Sequence, residues 1–543
     1  MLWPVILRET QIFPANKVLR PLIPPGDPIG GEVLEAMHEL AESHGVTMII
    51  VTHDDAVCTR CCGPRGVHGF WQGGRGGDAG RCLWRSEDRA ARRLSTGVRP
   101  MTGQSSFDLS RGKLPAAFEA ALCSLASSRL GGVDKGLGPT SLSLDEIGHQ
   151  GWSVLGGDVP LPAMTLKWAD LVHNIHLMQS YCDQHGAWLA PHGKATMMPQ
   201  VWAEQIRAGA WAITVANVVQ LQVCRAFGVH RALVANELVG DYDIRYAAQQ
   251  LRADPDFDLY VLVDSLRGVE RLCSGLRQAD AGRPLQVMIE FGMADGRCGV
   301  RDISELQAVA AAVLQSRPLL QLVGVEGYEG IASGATDEER VARVHQYLDT
   351  LAQAARAVRS LVPEQEPFFV SAGGSAYFDL AIAHLGRHAL PDAQLIVRPG
   401  AYVTHDSLHL ERMSPMGSLS KRPLGVGLLR PALELWAVVL SRPEPELAIL
   451  GLGLRDASAD AGLPVPLFRS GIDGEVQELD EDYKVTRIND QHAYLRVPPE
   501  GDLAVGDRVG CGISHPCTAL DKWRVVLVVD SIRQVTGAVR TYF

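Results

Sequence analysis

The stretch AWLAPHGKATMMP, residues 187–199, decides the fold, because it joins a short apolar run to a lysine and then to a new helical segment. Its first four residues are apolar without alternation, which is typical of a parallel strand buried on both faces. In MPQVWAEQIRAG, residues 198–209, apolar residues recur at the spacing of an amphipathic helix. The stretch therefore predicts one strand followed by one helix.

Seven more apolar runs follow along the chain, with helical patterns between them. They are WAITVA (211–216), RALVAN (231–236), LYVLVD (259–264), QVMIEF (286–291), QLVGVE (321–326), PFFVSA (367–372) and QLIVRPG (394–400). Eight consecutive strand and helix units predict an α/β fold, a TIM (β/α)8 barrel over residues 165–400. A doubly wound sheet is the alternative, but eight units in a row favour a closed barrel.

Beyond residue 401 the pattern changes to short alternating runs separated by Gly, Pro and Asp, which predicts antiparallel strands. The runs are ELWAVVLSR (434–442), LAILGLG (447–453), YKVTRIND (483–490), HAYLRVP (492–498), DRVGCGIS (507–514), RVVLVVD (524–530) and GAVRTYF (537–543). The segment GWSVL, residues 151–155, can pair with them. We therefore expect a second, mostly antiparallel β domain made of residues 151–164 and 401–543.

The first 100 residues differ from the rest of the chain. A helix pattern and a strand pattern within residues 29–56 resemble the last β-α-β piece of an ATP-binding-cassette ATPase, whose switch histidine would be His53. The chain has no GxxxxGK[ST] phosphate loop, so we expect no ATP hydrolysis. We interpret residues 1–100 as an adventitious or disordered N-terminal extension, and residues 101–150 as a helical lead-in to the barrel.

Cysteines are concentrated in part of that extension. Residues 57–100 hold four of the eleven cysteines and show no helical or strand periodicity. A zinc knuckle can be drawn there, but its spacings fit no common zinc site; its ligands would be Cys58, Cys61, His68 and Cys82. Since the chain shows no secretory signal, we expect free thiols rather than a disulfide framework.

The overall composition excludes several classes of partner. The net charge of −11 and a pI of about 5.9 argue against a nucleic-acid surface. No run of about 18 apolar residues is present, so we expect no membrane partner. The N-terminus lacks a basic region followed by a long apolar core, so we expect a cytoplasmic protein.

Lys194 lies just past the end of the first predicted strand. In a TIM barrel the chemistry sits at the C-terminal ends of the strands, where a lysine can bind phosphate, act as a base or form a Schiff base. After the seventh strand, SAGGSAYFD (371–379) brings Gly373 and Gly374 ahead of Ser375, a loop suited to a phosphate. A lysine on strand one and a phosphate loop after strand seven together suggest pyridoxal phosphate.

The chain resembles the fold-type III pyridoxal-phosphate enzymes of the D-serine dehydratase and D-threonine aldolase group, relatives of alanine racemase. The likeness runs from about residue 130 to the end, and its most specific motifs are PHGKATMMP, AGAWAITVA, SAGGSAYFD, RPGAYVTHD and GISHPCTALDKW. The resemblance implies that Lys194 carries the cofactor and that the loop from Ser371 to Ser375 holds its phosphate. It also implies that Tyr328 lies against the cofactor and that Arg297 contacts the cofactor ring oxygen.

His515 and Cys517 are separated by one residue near the C-terminus. In an extended segment this spacing places both side chains on one face, and imidazole with thiolate suits zinc. The resemblance places a metal pair here, facing the cofactor. Two protein ligands leave positions open for water and substrate, as in a catalytic zinc site.

Together with the resemblance, these residues imply a zinc-dependent dehydratase that releases the β-hydroxyl of D-serine-like amino acids and yields a 2-oxo acid and ammonia. A D-threonine-type aldolase, yielding glycine and an aldehyde, is the alternative, although the soft thiolate of Cys517 favours zinc and elimination. A non-catalytic pyridoxal-phosphate protein fits poorly, because such proteins lack the second domain. An ATPase fragment or transporter partner is supported only by GVTMIIVTHD. From the relatives we also expect a homodimer.

Overall fold

The computed structural model describes residues 112–131, 134–138, 141–471 and 474–543. The predictions for residues 1–100, including the ATPase-like fragment and the zinc knuckle, lie outside this range. The described part of the predicted lead-in contains helix α1, Ala116–Ala126, and a 3-10 helix, Leu144–His149. Within the described residues, no helix has both the length and the apolar character required to cross a membrane.

Strands and helices alternate from residue 163 to residue 413. The elements are β1 Ala163–Lys167, α2 Trp168–Gln184, β2 Trp188–Leu189, α3 Pro199–Ala208, β3 Ile213–Val215, α4 Val218–Ala226, β4 Arg231–Glu237, α5 Asp241–Ala253, β5 Asp258–Val263, α6 Leu266–Ala279, β6 Leu285–Glu290, α7 Ile303–Gln315, β7 Leu320–Glu326, α8 Asp337–Arg359, β8 Phe369–Ser371, α9 Phe378–Leu385, β9 Gln394–Val397 and α10 His409–Met413. All eight predicted barrel strands are confirmed.

The eight strands β2 to β9 form one parallel sheet in the order β2-β9-β8-β7-β6-β5-β4-β3. Hydrogen bonds join its two ends, because Trp211 N donates to Leu189 O at 2.7 Å and Thr214 N donates to Pro191 O at 2.9 Å. The predicted barrel therefore closes. Its interior is packed with aromatic rings, among them Trp211, whose centroid lies 5.6 Å from that of Phe369.

The second sheet has ten strands and contains most of the C-terminal region. Its elements after α10 are β10 Leu433–Glu444, β11 Leu447–Leu450, β12 Val465–Ser470, β13 Val476–Glu478, β14 Lys484–Ile488, β15 Ala493–Arg496, β16 Arg508–Gly512, helix α11 Pro516–Leu520, β17 Val525–Val529 and β18 Val535–Arg540. The central order is β13-β12-β16-β10-β1-β17-β18, and every pair is antiparallel except β1 with β17. The predicted antiparallel domain is confirmed, with β12 and β13 as additional strands.

Strand β1 shows how the two ends of the barrel contribute to one sheet. It pairs with β10 and β17, so the boundary predicted between residues 164 and 165 falls inside a strand that lies wholly in the second sheet. The preceding segment also pairs as predicted, since Val154 N donates to Arg533 O at 3.1 Å and Val535 N donates to Trp152 O at 2.8 Å. The β domain is therefore joined directly to the first helix of the barrel, since α2 begins at the residue after β1.

Candidate active site

Lys194 lies in a short 3-10 helix, Gly193–Ala195, that follows β2. Gly193 allows this turn to pack directly on the barrel wall, because a Cβ atom there would lie 2.9 Å from Ile213 Cγ2 and from Trp202 Nε1. The turn thus fixes the lysine at the C-terminal end of the first barrel strand. This is the position that the sequence predicted.

The surroundings of Lys194 favour its neutral amine. Burial lowers the pKa of Lys194, and the positive charges of Arg297 and Arg398 lower it further, while the Cys517 thiol acts in the opposite direction. These interactions come from the barrel loops and also from the β domain. The structure therefore brings Lys194, Arg297 and Cys517 into one electrostatic environment.

Tyr328 and Arg297 meet above the ends of β6 and β7. The Arg297 guanidinium carbon lies 4.8 Å from the Tyr328 ring centroid, a cation–π contact. Tyr328 N donates to Tyr347 Oη at 3.1 Å, which anchors the backbone at this point. Burial, followed by the charge of Glu329, raises the pKa of Tyr328, so its phenol stays neutral at physiological pH. The two residues form one wall of the barrel mouth.

The glycine loop after β8 is occupied by a carboxylate of the protein itself. Gly373 N donates to Glu329 Oε2 at 3.0 Å, and Gly374 N donates to Glu329 Oε1 at 2.7 Å. Glu329 is fully buried. Gly373 has φ +90°, a conformation that favours glycine and turns its N–H toward the carboxylate. The loop was predicted to hold a phosphate, and that stays a prediction; in this structure Glu329 uses both of these donors.

The two serines of this loop have different environments. Ser371 Oγ donates to Ile396 O at 3.1 Å inside the barrel wall, so its hydroxyl is already paired. Ser375 Oγ accepts from Gly400 N at 3.2 Å and keeps its own proton for another acceptor. Helix α9 begins at Phe378 and not at Ser375, which therefore lies in the loop. A phosphate fits better beside Ser375 than beside Ser371, since the Ser375 hydroxyl proton is left to donate whereas the Ser371 hydroxyl is paired.

His515 and Cys517 lie side by side, but their backbone differs from the prediction. His515 is extended, whereas Pro516 begins helix α11 and places Cys517 in its first turn. The prediction of one extended segment is wrong, because proline is well suited to the first position of a helix. The side chains nevertheless interact: a hydrogen bond with Cys517 raises the pKa of His515 to about 9, and Asp460 adds to this shift.

The donor set of this pair fits zinc. Imidazole nitrogen and thiolate sulfur are the common zinc ligands in proteins. Among the described residues, no group of three or more His, Cys, Asp or Glu side chains is arranged to hold a metal ion. A metal bound by His515 and Cys517 would thus have coordination positions left for water or substrate.

Two family models match this chain. The model described as "Alanine racemase, N-terminal domain" matches residues 167–407, and "Putative serine dehydratase domain" matches residues 432–529. The D-threonine aldolase of Arthrobacter sp. is 26% identical over 347 residues, which cover 63% of this chain and 81% of that protein. The chain belongs to the fold-type III pyridoxal-phosphate enzymes of the D-serine dehydratase and D-threonine aldolase family.

Solved structures of this enzyme family have the same fold. The D-threonine aldolase from Filomicrobium marinum has a TM-score of 0.59 and 23% identity, covering 72% of this chain and 96% of that one. The D-threo-3-hydroxyaspartate dehydratase from Delftia sp. HT23 has a TM-score of 0.58 and 22% identity, covering 72% and 99%. The sequence matches and the shared fold show that the chain is a pyridoxal-phosphate-dependent lyase.

The lyase also holds a buried ion pair that our sequence analysis did not identify. Arg398, at the end of β9, donates to the carboxylate of Glu326 and to Gly327 O, the latter at 3.0 Å. Within the described residues, Arg398 Nε and Glu326 Oε2 are buried without hydrogen-bond partners. The sequence did contain a signal for this pair, because Glu326 and Arg398 are charged residues that end the apolar runs in QLVGVE and QLIVRPG. Because Arg398 also acts on the pKa of Lys194, it belongs to the site.

Two carboxylates at strand ends of the barrel were also missed. Glu237 ends β4 and Glu290 ends β6. Burial, and then the charge of Glu290, raise the pKa of Glu237 to about 8, and Asp264 adds to the effect. At neutral pH Glu237 is therefore mostly protonated. The barrel mouth thus contains the cationic Arg297 and Arg398 together with the interacting carboxyl groups of Glu237 and Glu290.

Proposed function

We propose that this lyase is a zinc-dependent D-amino-acid dehydratase, which eliminates the β-hydroxyl of D-serine-like substrates to give a 2-oxo acid and ammonia. The observation that supports it best is that helix α11, which carries Cys517, lies against the 3-10 helix that carries Lys194. In this proposal the lysine that would hold the cofactor and the cysteine that would bind the metal therefore lie close together. One substrate can therefore meet both.

Lys194 has two roles in this proposal. Its amine would hold the cofactor in the resting enzyme, and after the substrate amine takes its place it would remove the proton from Cα. The lowered pKa suits this second role, because a base must be unprotonated at the working pH. Arg297 and Arg398 help to keep the amine neutral by their positive charge.

Different residues would bind the cofactor and the metal. Ser375 and Lys194 would bind pyridoxal phosphate, with Tyr328 beside it, and His515 with Cys517 would bind zinc. When bound, pyridoxal phosphate supplies an electron sink for charge at Cα, and zinc supplies a Lewis acid at the β-oxygen. In this proposal Lys194 would act at the substrate Cα, and the His515 and Cys517 pair would act at its β-hydroxyl.

Two features support elimination over cleavage of the Cα–Cβ bond. Residues 432–529, which match the serine dehydratase model, include both His515 and Cys517. The thiolate of Cys517 is a soft ligand that suits zinc, whereas a harder carboxylate would suit manganese or magnesium. An aldolase is the second candidate, supported by the 26% identity to the Arthrobacter D-threonine aldolase.

The two candidates are separated by the products formed from D-threonine. Elimination gives 2-oxobutanoate and ammonia, while retro-aldol cleavage gives glycine and acetaldehyde. All four compounds should be measured in one reaction with the zinc-loaded protein, and L-threonine is the control for stereochemistry. Oxo acid and ammonia in equal amounts support the dehydratase. Glycine with acetaldehyde would assign the protein to the aldolases.

A non-catalytic pyridoxal-phosphate protein is the candidate from another class. It is disfavoured by the ten-stranded second sheet and by the metal pair that this sheet carries. Turnover of neither D-serine nor D-threonine, with the cofactor bound, would revive it. The cytoplasmic location and the homodimer stay predictions from the sequence.

A further inference from the structure

Asp460 contacts the proposed metal pair from the loop between β11 and β12. Its Oδ2 lies 2.6 Å from His515 Nδ1, and its Oδ1 accepts from Thr518 Oγ1 at 2.8 Å. The carboxylate thus bridges the residues that flank the Pro516–Cys517 step, one in the extended segment and one in helix α11. The Asp460 side chain therefore connects His515, before the helix, with Thr518, inside it.

The backbone of His515 is held from the same loop. Ser458 Oγ donates to His515 O at 3.0 Å. With its carbonyl held by Ser458 and its Nδ1 by Asp460, the ring of His515 has little rotational freedom. The nitrogen that stays available for a metal is Nε2, on the other edge of the ring.

Asp460 is badly placed to be a metal ligand itself. Its Oδ2 is engaged by Nδ1, while a metal on Nε2 would lie on the far side of the imidazole. This agrees with the finding that no three such side chains among the described residues are arranged around a common metal position. Carboxylates that accept from the second nitrogen of a metal-binding histidine fix its orientation and increase its basicity.

We propose that Asp460 is a positioning residue that holds His515 so that its Nε2, together with Cys517 Sγ, binds zinc. This inference rests on the proposed function, because it takes His515 and Cys517 as the metal pair. His515 and Asp460 are both partly exposed, with 34% of the His515 side chain and 51% of the Asp460 side chain accessible. Exposure leaves the imidazole free to rotate unless a partner restrains it.

Zinc affinity of the metal-free full chain tests the proposal directly, by competition with a chromophoric chelator. Asp460→Ala should weaken zinc binding about 10- to 100-fold. Asp460→Asn should lose less, because its amide oxygen still accepts from Nδ1. The matched control is Asp521→Asn, since Asp521 ends helix α11 and pairs with Lys522 without contacting His515. Equal affinity for Asp460→Ala and the control would overturn the inference.

Cobalt in place of zinc provides a signal that a merely structural role would not move. The thiolate-to-cobalt absorption band should shift or broaden in Asp460→Ala, while thermal unfolding stays unchanged, and Asp460→Asn should restore the band in part. An unchanged band would contradict the proposal. If the wild-type protein and the His515→Ala variant bind zinc equally, the metal pair and the proposal both fail. If His515→Ala weakens zinc binding but the Asp460 variants do not, His515 and Cys517 remain the metal pair and Asp460 does not position His515.

Discussion

The cofactor side and the metal side of the site are built differently. On the cofactor side, Glu329 and the Arg398–Glu326 pair are buried and tie the barrel loops to one another. On the metal side, His515 and Asp460 are partly exposed and lie on a short helix and a loop. Buried groups that are hydrogen-bonded to one another have few alternative partners, whereas exposed groups can exchange partners with water. The contrast fits our proposal of a permanently held cofactor beside an exchangeable metal.

The largest expected effect is loss of the cofactor attachment in Lys194→Ala. Lys194 lies in the barrel mouth near Arg297 and Arg398, and our proposal requires its neutral amine for both attachment and proton removal. The absorption band of bound cofactor near the edge of the visible range should disappear, and lyase activity with it. Lys421→Ala is the control, because Lys421 is an exposed residue paired with Asp337. A band that persists in Lys194→Ala would mean that another lysine holds the cofactor.

The metal side should change its preference when its soft ligand is replaced. Cys517→Asp exchanges a thiolate for a carboxylate, which favours harder ions. After metal removal, wild-type activity should return best with zinc, whereas the variant should respond relatively better to manganese or magnesium. Activity of both proteins across the three metals gives the comparison. The same metal order in both proteins would remove Cys517 from the ligand set.

The cofactor side should lose stability when its internal carboxylate is removed. Glu329→Ala leaves Gly373 N–H and Gly374 N–H without their acceptor, at a cost of about 1 to 3 kcal/mol for each unpaired group. Urea unfolding of the cofactor-free protein measures the loss. Glu338→Ala on the exposed face of α8 is the matched control. Equal stability of the two variants would show that the glycine loop does not depend on Glu329.

A smaller effect should appear in the pH dependence of stability. The pKa of Glu237 is raised from its ordinary value near 4.5 to about 8, so the folded state binds this proton more tightly than the unfolded state. Its contribution is complete at low pH and is lost as the pH rises from 4.5 through about 8. Glu237→Gln should therefore flatten the decline in stability between these two pH values. Unfolding midpoints at several pH values check this, and parallel curves for wild type and variant would contradict it.

The barrel was predictable because a buried parallel strand is visible in the local sequence. Each is a short apolar run, and eight runs such as LYVLVD and QVMIEF each became a strand. Strand β12 was missed because Pro464 and Pro466 interrupt the alternation expected of a strand. Local pattern therefore predicted the fold, except where proline obscured it.

The site was predictable only where its residues stand in a recognisable local motif. Lys194, Tyr328, Cys517 and the glycine loop were predicted in this way. Glu329 was not, because its partners are backbone N–H groups 44 and 45 residues away. Asp460 lies 55 residues from His515 and in an irregular loop, so no periodicity points to it. Such pairs depend on the tertiary fold.

Metal-dependent release of pyruvate from D-serine tests whether the barrel lysine and the proposed metal pair of the β domain act on one substrate. We expect pyruvate and ammonia from the wild-type protein, their loss after chelation, and recovery with zinc in the wild type but not in Cys517→Ala. Pyruvate formation that survives both chelation and Cys517→Ala would contradict the account.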